Sequence, residues 1–235
     1  MSLKNWDNKT WLSSKDYINA FNNFLIRQIK LDKNSSILDI GCGRGKILGN
    51  ITSKLRLIKK PTGIDIEQHK DRDKRIIFNK TDAISFLKRN RKKFDLILLK
   101  QTIHFLTLKE IKKLLSLSKN CLNSGGRIAI FTLATSKNEI PTFVKMKKKL
   151  NKSLKRDQKI LRLINDLYPG GLSKTFSFKV KISRQKYVEM IKNRYISTLL
   201  NLSNTEILKG ISEINRNYRK RLNFKDKLIC LLLKN

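Results

Sequence analysis

At 235 residues the chain has room for one α/β domain with an elaboration, and a chain of this size buries roughly 70% of its unfolded surface on folding. Its longest apolar runs, 96–99 and 228–233, fall far short of the roughly 20 residues that span a bilayer, and the opening MSLKNWDNKT has no apolar signal core; a cytoplasmic protein without membrane contact is expected. Three cysteines without a C-x-x-C pair and two histidines give no zinc site or disulfide framework, so no metal is expected, and the net charge of +35 stands out.

Residues 12–29 place Tyr17, Ile18, Phe21, Leu25 and Ile29 at helical spacing, with Ser13 or Ser14 available as N-cap. A strand at 36–40 follows and runs into ILDIGCGRGK, residues 37–46, where Gly41, Gly43 and Gly45 alternate behind Asp39. Glycines so close together let a backbone take positive φ and approach a ligand without a Cβ in the way. A triphosphate loop, G-x-x-x-x-G-K-[ST], fails here, because Ile40 and Ile47 stand where a glycine and a hydroxyl are needed. The dinucleotide pattern G-x-G-x-x-G fails too, since the third glycine comes one residue early and Lys46 stands in its place. The pattern is D-x-G-x-G-x-G. An acid there repels a pyrophosphate but holds an ammonium, which favours S-adenosylmethionine.

A helix over 45–56 completes a strand–turn–helix unit around the loop. Strands are expected at 62–66, 75–79, 94–99 and 126–133, with helices near 82–90 and 107–120. This alternation predicts a parallel sheet with helices on both faces, and FDLILL at 94–99 is apolar enough for a strand buried on both sides. Ligands in such sheets lie beyond the carboxyl ends of the strands, where Gly41, Asp65, Asp82 and Lys100 fall. A long basic helical segment over 138–166 follows, broken by YPGG at 168–171. FSFKVKI then alternates apolar and polar residues as a strand, helices are expected near 184–199 and 204–221, and DKLICLLLK supplies the last strand.

Four motifs in order over about 30–135, namely ILDIGCGRG, GIDIE, KTDAISF and FDLILLKQTIHFL followed by LNSGGRIAI, resemble the class I S-adenosylmethionine-dependent methyltransferases. The likeness is to the small-molecule type that includes trans-aconitate and ubiquinone-pathway enzymes. It implies a Rossmann-like, doubly wound sheet of seven strands, mostly parallel with an antiparallel last strand, helices on both faces, and a helical elaboration after strand 5. One domain is expected, with a lid helix at 1–30, a cofactor core at 31–136 and an acceptor-site elaboration at 137–235.

The resemblance places Asp39, Gly41, Cys42, Gly43 and Gly45 at the methionine end of the cofactor, Asp65 with Ile66 at the ribose, Asp82 with Ala83 at the adenine, and Lys100 at the strand end beside them. Asp82 also fits a helix N-cap before AISF, and Cys42 reads as a small residue packed beneath the ligand rather than a nucleophile. His104 matches a histidine common after the fourth strand of the family; it is a candidate general base or a ring packed beneath the cofactor pocket. The 183–211 segment resembles the tail of some uncharacterised members, which implies Arg194 and Tyr195 as acceptor contacts, the alternative being an exposed charged helix face. Trp6, Trp11 and Tyr17 are candidates for a closing lid. The implied acceptor is a small anionic molecule methylated at oxygen or nitrogen.

Two rival readings follow from the charge and the fold. An RNA methyltransferase would suit 53 Lys+Arg against 18 Asp+Glu, but LKQTIH replaces the [DNS]-P-P-[YFW] turn of base-amino methylases. A non-catalytic cofactor-binding or RNA-binding module on the same fold is the other. The charge is spread along a chain rich in lysine, asparagine and isoleucine, as codon bias produces, and the densest run, 145–159, has no aromatic for stacking. Weak, non-specific nucleic-acid binding is therefore expected. RNA retention measured against salt should collapse near physiological ionic strength without preference among RNAs, as binding through six to ten phosphates loses roughly 10³–10⁵ in affinity between about 50 and 200 mM. Submicromolar, RNA-selective affinity at that salt would instead require shaped contacts.

Overall fold

The computed structural model describes residues 10–234. A 3-10 turn, Trp11–Ser13, leads into α1 (Lys15–Ile29), whose N-cap Ser14 accepts a hydrogen bond from the Tyr17 N–H. Then follow β1 (Ile37–Ile40), α2 (Lys46–Leu55), β2 (Thr62–Asp65), β3 (Ile77–Lys80), α3 (Ala83–Arg89), β4 (Phe94–Lys100), α4 (Leu108–Asn120) and β5 (Leu122–Leu133). The remainder is α5 (Val144–Leu167), β6 (Leu172–Ser183), α6 (Arg184–Lys192), α7 (Asn204–Asn217) and β7 (Arg221–Lys234).

The seven strands form one sheet in the order β3-β2-β1-β4-β5-β7-β6. Only β7 runs against its neighbours, β5 and β6. The order reverses between β1 and β4, and the crevice that such a reversal opens beyond the carboxyl ends of the strands is where a ligand fits.

Alternate residues of the central strands feed two separate cores. Leu96 and Leu98 of β4 face the core built with α1, α2, α6 and α7, while Ile97 and Leu99 face the core built with α3 and α4. The helix α5 belongs to both: Met146, Leu150 and Leu154 pack in the first core, Ile160 and Ile164 in the second. It therefore passes from one face of the sheet to the other. The β6–β7 ladder continues to Ser183 opposite Arg221, past the end of β5, where Leu133 is opposite Leu228. This overhanging ribbon carries α6 and α7 at the ligand end of the sheet.

Several boundaries differ from the sequence expectations for local reasons. The helix expected from 138 begins at Val144, because Pro141 disfavours a helical residue before it. The helix expected over 184–199 stops at Lys192, and Arg194, in the left-handed region at φ 51, separates it from a short 3-10 turn, Ser197–Leu199. The strands β6 and β7 start earlier than the periodicity suggests, since each pairs along its length with the other.

Candidate functional site

The glycine loop adopts the conformation its spacing calls for, with Gly41, Gly43 and Gly45 at φ 75, 54 and 68. The N–H groups of Gly41 and Cys42 donate to Ile64 O at 2.8 and 3.0 Å, which ties the loop to β2. A Cβ on Gly41 would lie 2.4 Å from Thr102 Oγ1, and one on Gly45 would lie 2.2 Å from Ile76 Cδ1. Gly43 differs: a Cβ there meets nothing within 4 Å, because it opens onto a cavity of about 350 Å³.

Asp39, Gly41, Cys42, Gly43, Asp65, Ile66, Asp82, Ala83 and Lys100 all line that cavity. Gly45 does not; it caps α2 against Ile76. Asp39 is 3% exposed, and its Oδ1 has no protein partner. Burial pushes its carboxyl up to about 7, against the opposing pull of the Lys100 charge, while Asp65 adds to the rise. An unanswered buried carboxylate oxygen is costly unless something cationic or protic meets it, and an ammonium does so.

Asp65 accepts from Gly43 N–H at 2.8 Å and from Glu67 N–H at 2.9 Å, one bond to each oxygen. It thus holds the loop in shape while facing the cavity. Glu67 and the buried His69 share the wall, two residues the sequence reading did not single out although Glu67 stands in the quoted GIDIE. Ile66 is 59% exposed at the same edge, an apolar surface open to a flat ligand. Asp82 is the N-cap of α3; the Ser85 N–H donates to it at 2.9 Å and holds its carboxyl below the ordinary range. Cys42 packs its sulfur against Gly63, and burial pushes its thiol far up, so it is no nucleophile. Lys100 Nζ donates to Gln101 Oε1 at 3.0 Å and stands over the rings of Tyr17 and Phe21 at 5.3 and 5.5 Å.

A second cavity, about 740 Å³, adjoins the first and shares Leu12, Gln101 and Phe105 with it. Its deeper wall holds Trp11, His104, Thr132, Asp157, Tyr195 and Asp226. Exposed Lys152, Lys155, Arg156 and Lys159 of α5 form a basic rim. His104 sits beside the Phe105 ring, with centroids 4.2 Å apart; burial, and then the Arg156 charge, lower its imidazole to about 4. Trp11 Nε1 donates to Asp226 Oδ2 at 2.9 Å. Tyr187 OH donates to Pro141 O, so the 2.9 Å contact between the two tyrosines is a bond that Tyr195 OH donates to Tyr187 OH.

Two residues expected at the acceptor lie elsewhere. Arg194 lines neither cavity: its Nη2 donates to Leu202 O at 2.9 Å and to Asn204 Oδ1 at 3.0 Å, which braces the loop before α7. Tyr17 also lines neither, being fully buried beneath Lys100. Trp6 lies outside the described residues. Asp157 and Asp226 went unmarked in the sequence reading, and a signal existed for the first, since Asp157 interrupts the apolar stripe of α5. Among the described residues no three His, Cys, Asp or Glu side chains are grouped to hold a metal ion, and no helix is long and apolar enough to cross a membrane.

A family model described as "Methyltransferase domain" matches residues 31–194. No curated protein sequence matches the chain. Solved structures similar to it include the plantazolicin methyltransferase BpumL in complex with a pentazolic desmethylPZN analog and SAH, at 20% identity and TM-score 0.56, covering 98% of this chain and 88% of that one. An Anabaena variabilis protein described as a putative methyltransferase from an antibiotic biosynthesis pathway aligns with TM-score 0.60 at 12% identity, over 89% and 95% of the two chains. A Geobacter sulfurreducens SAM-dependent methyltransferase solved with S-adenosyl-L-homocysteine aligns with TM-score 0.55 at 14% identity, over 94% and 92%.

The open face of Gly43 yields a direct test. Gly43→Val places a side chain in the 350 Å³ cavity and adds left-handed strain of about 1–3 kcal/mol, less than the 5–15 kcal/mol stability of ordinary domains. Circular dichroism should show a folded variant, and calorimetry should show binding of S-adenosylhomocysteine lost; an unchanged dissociation constant would remove the loop from the site.

Proposed function

The chain belongs to the class I S-adenosylmethionine-dependent methyltransferases, and from that premise we propose that it methylates oxygen or nitrogen of a small anionic molecule held in the larger cavity. The observation that carries this reading is the junction of the two cavities at Leu12, Gln101 and Phe105, beyond the end of β4. One cavity suits a cationic nucleoside; the other has a basic rim over the buried Thr132, Asp157, Tyr195 and Asp226.

The residues of the smaller cavity fit the cofactor. Asp39, with its unanswered oxygen, would receive the ammonium of the methionine end. Asp65 and Glu67 offer carboxylate oxygens for the ribose hydroxyls, and Ile66, Asp82 and Ala83 an apolar and polar edge for the adenine. Bound there, the cofactor supplies an electrophilic methyl group on a sulfonium.

The protein's own contribution is alignment and exclusion of water. Fixing an acceptor in line with its reaction partner contributes on the order of 7–11 kcal/mol to lowering a barrier. Leu12 and Phe105 set apolar surface at the junction, and Gln101 adds a polar group whose position Lys100 fixes. The rim cations on α5 attract and hold an anionic group by charge, and Arg156, whose Nη2 donates to Leu106 O at 2.9 Å, is held in place to do so. Trp11 lines the larger cavity, Ser13 the smaller and Leu12 both, which supports reading the N-terminal segment as a cover and 137–235 as the acceptor elaboration.

The test is to incubate the protein with methyl-labelled S-adenosylmethionine and a cell extract separated into small-molecule, protein and nucleic-acid fractions. Label should enter the small-molecule fraction. Label confined to RNA or protein would refute the small-acceptor reading.

A further inference from the structure

We propose that Asp157 is the general base of the transfer, and that the methylated atom is accordingly a protic one, an O–H or N–H on a molecule whose anionic end lies at the basic rim. This rests on the methyl-transfer reading of the larger cavity. The inward stripe of α5 runs Met146, Leu150, Leu154, Asp157, Ile160 and Ile164, so a carboxylate stands where helical spacing calls for an apolar residue. It is 7% exposed and accepts one bond, from Thr132 Oγ1 at 3.2 Å. A carboxylate accepts about four such bonds, so one hydroxyl leaves most of its capacity open to the cavity it lines.

Its position suits the reaction. Thr132, the last residue but one of β5, follows Phe131, the register partner of Lys100, so Asp157 is anchored level with the end of β4 and lines the same cavity as Gln101, which both cavities share. The other groups facing this space are less suited. His104 is buried with its ring against Phe105, and burial and the Arg156 charge both disfavour the positive charge its imidazole would gain as a base. Asp226 already accepts from the Trp11 indole and has the Lys100 charge nearby, and the Tyr195 hydroxyl donates to Tyr187. Burial raises the Asp157 carboxyl from its ordinary range, opposed by the Thr132 bond and the Arg156 charge, and a raised carboxyl is the stronger proton acceptor. An acceptor carboxylate at this depth would face two like charges, Asp157 and Asp226, whereas a hydroxyl or amine donates to them.

In the step, the acceptor's proton passes to an Asp157 oxygen as the acceptor lone pair forms the new bond to the methyl carbon. The carbon–sulfur bond breaks with its electron pair left on sulfur, so charge and atoms balance.

The experiment is to isolate the small-molecule fraction labelled by the wild-type protein from methyl-labelled S-adenosylmethionine and treat it with mild alkali. Ethers and N-methyl groups retain the label, and retention is the expected result. Release as volatile methanol marks a methyl ester, which overturns the inference while leaving the small-acceptor reading intact; no labelled small molecule at all refutes that reading and the inference with it. Asp157→Asn should bind S-adenosylhomocysteine as the wild type does yet transfer label 10²–10⁴-fold more slowly, the usual contribution of a general base. Asp157→Glu should retain measurable transfer with its acid limb displaced along the pH axis. Wild-type rates in Asp157→Asn, or a pH profile the same in the glutamate variant, would overturn the assignment.

Discussion

A carboxylate buried with one oxygen unanswered is the constraint around which this molecule is arranged. Asp39 is the last residue but one of β1, a strand covered on both faces, so it cannot turn to water, and in the loop that follows the N–H groups of Gly41, Cys42 and Gly43 are committed to β2 and to Asp65. The loop bends at three positive-φ glycines, and along that path Asp39 and the open face of Gly43 line the same cavity. Lys100, at the neighbouring strand end, tempers the burial but is held over Tyr17 and Phe21 and bonded to Gln101. One Asp39 oxygen still has no hydrogen-bond partner here, and the ammonium of an amino-acid end would supply one.

The second determinant is the passage of α5 from one face of the sheet to the other. A helix that packs its first half in one core and its second half in the other must run across the ligand end between them. It thereby gives the larger cavity both its wall and its charge: Asp157 faces inward while lysines on the opposite side meet solvent. The overhanging β6–β7 ribbon closes the remaining side with Asp226, and the bonds of Arg194 brace the loop that leads to α7. The cavity has a positive mouth and a buried acidic floor, an asymmetry that would orient an acceptor bound there.

Much of this was legible in the sequence. The loop, the strands up to β5 and most of the walls of the smaller cavity follow from motifs whose residues are adjacent in the chain or lie at successive strand ends, where spacing translates directly into position. The last third was harder. Arg194 sits in a stretch that resembles acceptor-binding tails, but its role depends on a left-handed turn and on Asn204, neither of which helical periodicity reveals. Tyr195, one residue away, does reach the cavity, because the turn directs the two side chains apart. Asp226 acquires its meaning only when β7 is set beside Trp11, a partner 215 residues distant. Asp157 was the accessible signal: a single acid in an apolar stripe, hidden by the lysines around it.

The central claim is that the Asp39 carboxylate receives the cofactor's ammonium, and proton-linked binding tests it most directly. With its carboxyl near 7 in the free protein, Asp39 carries a proton below that pH and must release it when a cation binds, so affinity should fall about tenfold for each pH unit below about 7. Calorimetry of S-adenosylhomocysteine binding in buffers of differing ionisation enthalpy should show proton release near neutral pH and a weakening towards acid, both absent in Asp39→Asn. Affinity independent of pH in the native protein, or the same pH dependence in the asparagine variant, would contradict the account.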